Sequence, residues 1–377
     1  MQQFYAWLLF RRGFIKEGVD GLSACLEVFR SQNDIWNIAL TLSHLAEAQR
    51  TMGNQKQARS LVEEALNLMT SEIMPTSIYV IAFIADCQSI LGRVLMSTGD
   101  FDQAGYYFRT SLATHERLGT YYGSIQPLVG LAQLTGYLGD FLESKNYYLN
   151  ALDIASNIYA TRDMIIIHNN IAAVYEQIVN IPEAYHHVVT ALKMCRETGD
   201  NRLLAMILNN LGYIQLRFLK QPSDAIRTYH ECIEIFYTSG DLRGLAYTYY
   251  DISKAYTRVR LFDEAWTYCV KSLNTAMVLD NISLILHSIH GFAHYFAQVN
   301  VPERALGLCF LVESHPQVEH DTQNRAIVTR AELQASLSSE IIQSAYSWAQ
   351  SANIQDVINR LLTEKFQPII DYSHSAP

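Results

Sequence analysis

A chain of 377 residues is longer than one ordinary globular core supports, yet no linker divides it. Hydrophobic residues make up 49% and 23 residues are tyrosine, which excludes intrinsic disorder, while a net charge of −9 argues against a surface that binds nucleic acid throughout. The six cysteines form no C-x-x-C pair and no disulfide-like spacing, which points to a reducing, cytoplasmic setting.

The N-terminal apolar run at residues 4–10 precedes Arg11 and Arg12, the reverse of a signal peptide, and is too short to span a bilayer. No other stretch reads as membrane-spanning, so no membrane partner is expected. A leading helix from about Gln3 to Arg12 is shorter than the later ones. The expectation is that either Met1 begins a truncated cap or the natural chain extends further upstream.

Repetition then takes over. Second helices open on one small residue each: Gly21, Ala58, Ala104, Ser144, Ala184, Ala225, Ala265 and Ala305, at intervals of 37, 46, 40, 40, 41, 40 and 40. Twelve or thirteen residues earlier, first helices carry Ala46, Gly92, Ala132, Ala172, Gly212, Ser253 and Ala293, each preceded by a large apolar residue. Matched small residues let two helices approach closely, and the large neighbour fills the space beside them. Residues 242–280 are the cleanest copy, two helices joined by a turn at Arg260-Leu261. Neither helix buries its apolar stripe alone, so a period near 40 predicts an all-α solenoid of antiparallel helix pairs.

Punctuation agrees with that period. Gly53, Gly99 and Gly139 turn the chain inside repeats, and Gly119, Gly199 and Gly240 end them. Pro182, Pro222 and Pro302 fall in first turns of second helices. Residues 70–77, with Pro75, lengthen one connection. After His315-Pro316 the repeat stops, and 317–337, 338–350 and 353–364 read as three helices, the last two capped by Ser338 and Asn353. The expected organisation is a repeat array over 1–315 with about eight helix pairs, capping helices over 316–364 and a mobile tail over 365–377.

These features resemble tetratricopeptide repeats, most clearly at Asn210-Leu211-Gly212-Tyr213 with Ala225 and at Ile171-Ala172-Ala173-Val174-Tyr175 with Ala184. The resemblance covers roughly residues 14–312, with a period longer than the usual 34. It implies a right-handed superhelix with first helices lining the concave side. Glu303-Arg304-Ala305-Leu306, then 321–333, 344–350 and 354–362, resemble the C-terminal end of bacterial signal-transduction ATPases and transcription regulators. The chain has neither their G-x-x-x-x-G-K-[ST] phosphate loop nor a DNA-binding helix-turn-helix, so it is similar to the sensor arm alone.

No catalytic motif is present: no H-E-x-x-H, no G-x-S-x-G, no glycine-rich phosphate loop. No cofactor, metal or enzymatic activity is expected. The cysteines stand at apolar positions of the repeat and read as packing residues. The informative feature is a second stripe on the first helices, Tyr247, Tyr250, Lys254 and Arg258, spaced for one helical face. Matching rows hold Asn169; Asn209, Tyr213 and Arg217; and His287, His290 and His294. Tyrosine, amide, arginine and imidazole combine flat contact area with directed hydrogen bonds, as binding surfaces do. His290 and His294, four apart, would also suit a shared ion, but the row offers no third ligand.

Along these rows Arg50, Arg93, Arg217, Lys254 and Arg258 stand against Glu47, Asp86 and Glu176, two net positive. A protein or peptide partner bearing carboxylates would fit. The leading expectation is a repeat scaffold binding such a partner in its groove, as the sensor or regulatory arm of a bacterial signal-transduction or transcription regulator. The alternatives are a receptor for a small molecule or short signalling peptide, an enzyme with a site near the C-terminal helices, and self-association through an apolar array end.

Overall fold

A computed structural model describes residues 1–71 and 77–364. Its helices are α1 (Gln2–Arg11), α2 (Ile15–Ser31), α3 (Ile35–Met52), α4 (Gln55–Thr70), α5 (Ile78–Ser97), α6 (Phe101–Leu118), α7 (Tyr121–Tyr137), α8 (Phe141–Asn157), α9 (Thr161–Gln177) and α10 (Ile181–Arg196). They continue as α11 (Asn201–Arg217), α12 (Pro222–Ser239), α13 (Leu242–Arg258), α14 (Phe262–Val278), α15 (Ile282–Gln298), α16 (Pro302–Ser314), α17 (His320–Gln334), α18 (Ser339–Ser351) and α19 (Ile354–Thr363). Among the described residues there is no strand. The architecture is an all-α solenoid of helix pairs, with α1 the short member the sequence predicts. Pro75 and the tail over 365–377 lie outside the described residues.

Two compact units divide the chain, Met1–Asn210 and Leu211–Pro377. The boundary falls inside α11. In the N-terminal unit α1 packs on α2, α3 on α4, α5 on α6, α7 on α8 and α9 on α10, and each pair packs on the next. In the C-terminal unit α12 packs on α13, α13 on α14 and α15 on α16. The anchors Ala58, Ala104, Ser144, Ala184, Ala225, Ala265 and Ala305 are all fully buried, as are Ala46, Ala132 and Ala293 opposite. Close helix approach at these positions is thus what sets the repeat.

Helix ends follow from turn chemistry. Asp34, Asp100, Asp140, Asp241 and Asn281 cap helices by accepting a hydrogen bond from the backbone N–H three residues on. The residue before each cap has positive φ. Within repeats this position is Gly13, Gly53, Gly99 and Gly139, then Val179, Lys220, Arg260 and Asn300. A left-handed backbone costs an L-residue about 1–2 kcal/mol, and a β-branched one pays most. Val179 sits there at φ 59° with its side chain 75% exposed, so it gains little from packing. Val179→Gly is expected to stabilise the N-terminal unit by about 1 kcal/mol, the relief of strain exceeding glycine's entropy cost. An unchanged or lower denaturant midpoint would contradict this.

One helix departs from the membrane expectation. α5 is 20 residues long with a mean hydropathy of 1.6, enough to cross a bilayer by length and composition. Here it is a repeat helix, packed between α4 and α6 and against α7, with half of that window buried. It also carries Asp86 and Arg93, the latter ion-paired to Glu47 at 3.2 Å.

The three C-terminal helices share a core with the last repeats. Ala326, Ala349, Val357, Ile358 and Leu361 join a cluster with Phe292, Phe296, Leu308 and Val312. α17 packs on α16 and α15, and α18 packs on α16. Ser338 accepts from the Ile341 N–H, and Asn353 from the Gln355 and Asp356 N–H groups, so both expected caps form.

Candidate functional site

In the N-terminal unit a polar ladder joins successive first helices. Arg50 (α3) donates to Glu47 at 2.8 Å, and Arg93 (α5) donates to the same carboxylate at 3.2 Å. Arg93 also donates to the Gln126 side-chain Oε1 (α7) at 3.2 Å, and the Gln126 Nε2 donates in turn to Asp163 (α9) at 2.9 Å. Burial raises the Glu47 carboxyl, but Arg50 and Arg93 more than offset it and hold it well below the usual range. Asp163 goes the other way, raised by burial against the opposing pull of Arg11 and Arg162. The cation excess counted along these rows is therefore partly internal, because Arg50 and Arg93 share one carboxylate.

Two of the candidate binding residues lie in this unit. Asn169 is buried and accepts from the Asn210 amide at 2.9 Å. Asn209 is half-buried, and Met206 one turn earlier is 45% exposed. On this stretch Met206 is the exposed side chain, while Asn169, expected in an open groove, is buried and paired within the array. At the array end Phe4 and Tyr5 are each 63% exposed, as the self-association alternative requires.

In the C-terminal unit the rows behave differently. Tyr213 is half-buried with Arg217 over its ring, centroid distance 5.9 Å, and Arg217 itself is exposed. Tyr247 donates to Glu319 at 3.2 Å. Tyr250 is 1% exposed and His290 3%, their side chains hydrogen-bonded at 3.0 Å. His287 is also buried, its Nδ1 3.1 Å from the Thr322 hydroxyl. His290 Nε2 meets the Thr329 hydroxyl at 3.1 Å. Glu319, Thr322 and Thr329 all belong to α17 or its N-cap, so this wall is covered by the chain's own helix.

The expectation of an open row at Tyr250, His287 and His290 is corrected accordingly. Their burial leaves the imidazoles neutral: His290 is held down to about 3, by desolvation first and then by Lys254 and Arg325. His287 and His294 are lowered by the same burial, with Lys254 near both and Arg258 near His294. Both ring nitrogens of His290 have partners, which disposes of a shared ion with His294. Among the described residues no cluster of three His, Cys, Asp or Glu side chains is arranged for a metal.

What stays open is the far end of the rows. Lys254 is half-buried, its ammonium 5.1 Å from the Tyr250 ring centroid, and His294 is half-buried beside it. Arg258 and Arg217 are exposed. None of these three cations forms an ion pair among the described residues. This cationic edge, bordered by tyrosine and imidazole, is the part of the candidate site that remains available.

The cysteines are packing residues. Five are buried and Cys25 is half-buried, and burial pushes the thiols of Cys232, Cys269 and Cys309 up to about 12. A separate cleft of about 390 Å3 lies between α16, α18 and α19, floored by Leu308, Val357 and Leu361 beside Trp348, with Arg304 and Arg360 at its sides. Sequence reasoning missed this cleft, because it is built from helix spacing rather than from any motif.

Residues 163–238 match the tetratricopeptide repeat family. No curated protein sequence matches the chain. Among solved structures, a Rap protein complexed with competence and sporulation factor aligns with a TM-score of 0.62 at 14% identity, covering 95% of this chain and 98% of that one. NprR in complex with its cognate peptide NprX gives 0.54 at 16% identity, covering 90% of each. A signal-transduction ATPase with numerous domains and a tetratricopeptide repeat sensor, from Pyrococcus horikoshii, gives 0.55 at 13%, covering 93% of this chain and 54% of that one. At such identities the likeness is one of fold. The chain is thus an all-α helical-repeat protein whose residues 163–238 match the tetratricopeptide repeat and whose fold is similar to that of the structures above.

Proposed function

We propose that the chain is a non-enzymatic scaffold that binds a protein or peptide on its first-helix face, as the sensor or regulatory arm of a signal-transduction or transcription regulator. The observation that carries this is the cationic edge of the C-terminal unit. Arg217 lies over the Tyr213 ring, Lys254 over the Tyr250 ring and Arg258 near His294, none with a carboxylate partner among the described residues, in a chain of net charge −9. Uncompensated cations next to aromatic rings are what an acidic segment or a peptide carboxylate recognises. The complex of NprR, a protein similar in fold, with its cognate peptide supports a partner of peptide size. Buried, unreactive thiols suit a reducing compartment.

The test is Lys254→Glu combined with Arg258→Glu, used beside wild type as bait in affinity capture with mass spectrometry. Partners recovered by wild type are expected to bind the variant about tenfold or more weakly, with an unchanged denaturant midpoint. Equal recovery would remove this edge from the binding surface. The cleft under α18 favours a second reading, a receptor for a small ligand with an apolar body, because its volume falls within the range of small-molecule sites.

A further inference from the structure

We propose that α17 is a displaceable strap over the first-helix face of α13 and α15, joined to the core by Ala326. Its sequence is polar, HDTQNRAIVTRAELQ, and only Thr322 and Ala326 among its residues are buried. α15 beneath it buries twelve. Burial of apolar area is what fixes a helix, and α17 contributes little of it.

Its hold on the wall is polar instead. Glu319 accepts from Tyr247 and pairs with Arg243 at 3.5 Å, Thr322 meets His287, and Thr329 meets His290. Residues 319, 322 and 329 share one helical face, so the three contacts form a single seam. Each exchanges for water at small net cost once the helix lifts. The seam is also incomplete, since His287 Nε2 is buried without a hydrogen-bond partner among the described residues.

The surroundings permit the motion. Non-helical segments flank α17 at residues 315–319 and 335–338. α18 packs directly on α16, so lifting α17 leaves that part of the cap in place. On the α16 side Arg330 pairs with Glu313 at 2.7 Å, a tether about which the helix can turn. Lifting uncovers Tyr250, His287 and His290. A competitor for that wall would be a helix presenting an acid and two hydroxyls at the spacing of Glu319, Thr322 and Thr329.

Hydrogen exchange with mass spectrometry on the full chain tests this without any partner. Amides of α17 are expected to exchange about 100-fold faster than those of α15 and α16. Glu319→Gln with Thr322→Val and Thr329→Val is expected to speed α17 a further tenfold while leaving α14 and α16 unchanged. Equal protection of α17 and α15 in the wild type would overturn the strap. So would a triple variant that leaves α17 exchange unaltered, or one that speeds all helices alike.

Discussion

Acidification from pH 7 to 4.5 is expected to cost the C-terminal unit several kcal/mol of stability, well before its carboxylates titrate. His287 and His290 are buried and His294 is half-buried, all three with lowered pKa values in the folded chain, while an unfolded histidine takes up a proton near pH 6.5. A folded pKa below the unfolded one means that the unfolded state binds more protons. Stability is then complete above about pH 6.5 and is lost as pH falls from there toward the folded value. For His290, held down to about 3, the loss at pH 4.5 is about 2–3 kcal/mol. The other two imidazoles add in the same direction.

The groups facing them oppose rescue by protonation in place. Lys254 and Arg258 come from α13 and Arg325 from α17, and all three are cations near the imidazoles. Asp321 is nearby, but it accepts from Arg325 at 2.8 Å. In the N-terminal unit His44 and His168, both held down to about 4, have the same sign. Glu47 contributes only below about pH 4.5, where unfolded carboxylates begin to protonate, and raised Asp163 works weakly in the opposite sense. Urea midpoints between pH 7.5 and 4.5 measure the effect, and His290→Gln is expected to flatten the profile. A profile level across that window would mean that these imidazoles are not buried as described.

The sequence made the array legible because the constraint repeats. A small residue must stand where helices approach, and eight anchors near period 40 expose that rule even though Gly21 itself is only half-buried. The turns were half legible. Glycine marked the left-handed position in four repeats, whereas Val179, Lys220 and Arg260 occupy it with no local signal and Asn300 with the weaker one of an asparagine. The Arg260-Leu261 turn emerged from spacing alone.

The candidate site was less legible for a different reason. Whether a row of side chains is open depends on what lies over it, and α17 reaches His287 and His290 from at least 30 residues away in sequence. Single hydroxyls at Thr322 and Thr329 have no periodic signature. One clue was present: α15, ISLILHSIHGFAHYFAQ, is apolar nearly all round, and such a helix is covered on every side. That pattern by itself predicts a cover over the His287–His290 row. The open ends of the rows, at Lys254, Arg258 and Arg217, were readable because charge at the end of a helix seldom tolerates burial.

The other large effect is expected at Phe108, whose ring is fully buried between two glycines on different first helices. A Cβ at Gly92 (α5) would lie 2.7 Å from the ring, and one at Gly130 (α7) only 2.4 Å. Gly130→Ala gains about 1 kcal/mol of helix propensity, but the overlap decides the sign. The ring cannot retreat from Gly130 without meeting Gly92, so the helices themselves must separate. The net cost is expected to be about 1–3 kcal/mol. Phe108→Ala instead leaves a void shared by α5, α6 and α7 and costs about 3–5 kcal/mol. The informative variant is the double one. With the ring gone, the Gly130→Ala methyl has room, fills part of the void and recovers its helix propensity. The double variant is therefore expected to be less destabilised than the sum of the singles by at least about 1 kcal/mol. Simple additivity in denaturant titration would mean that the ring and Gly130 are not in contact, and the account of how these three helices pack would fall with it.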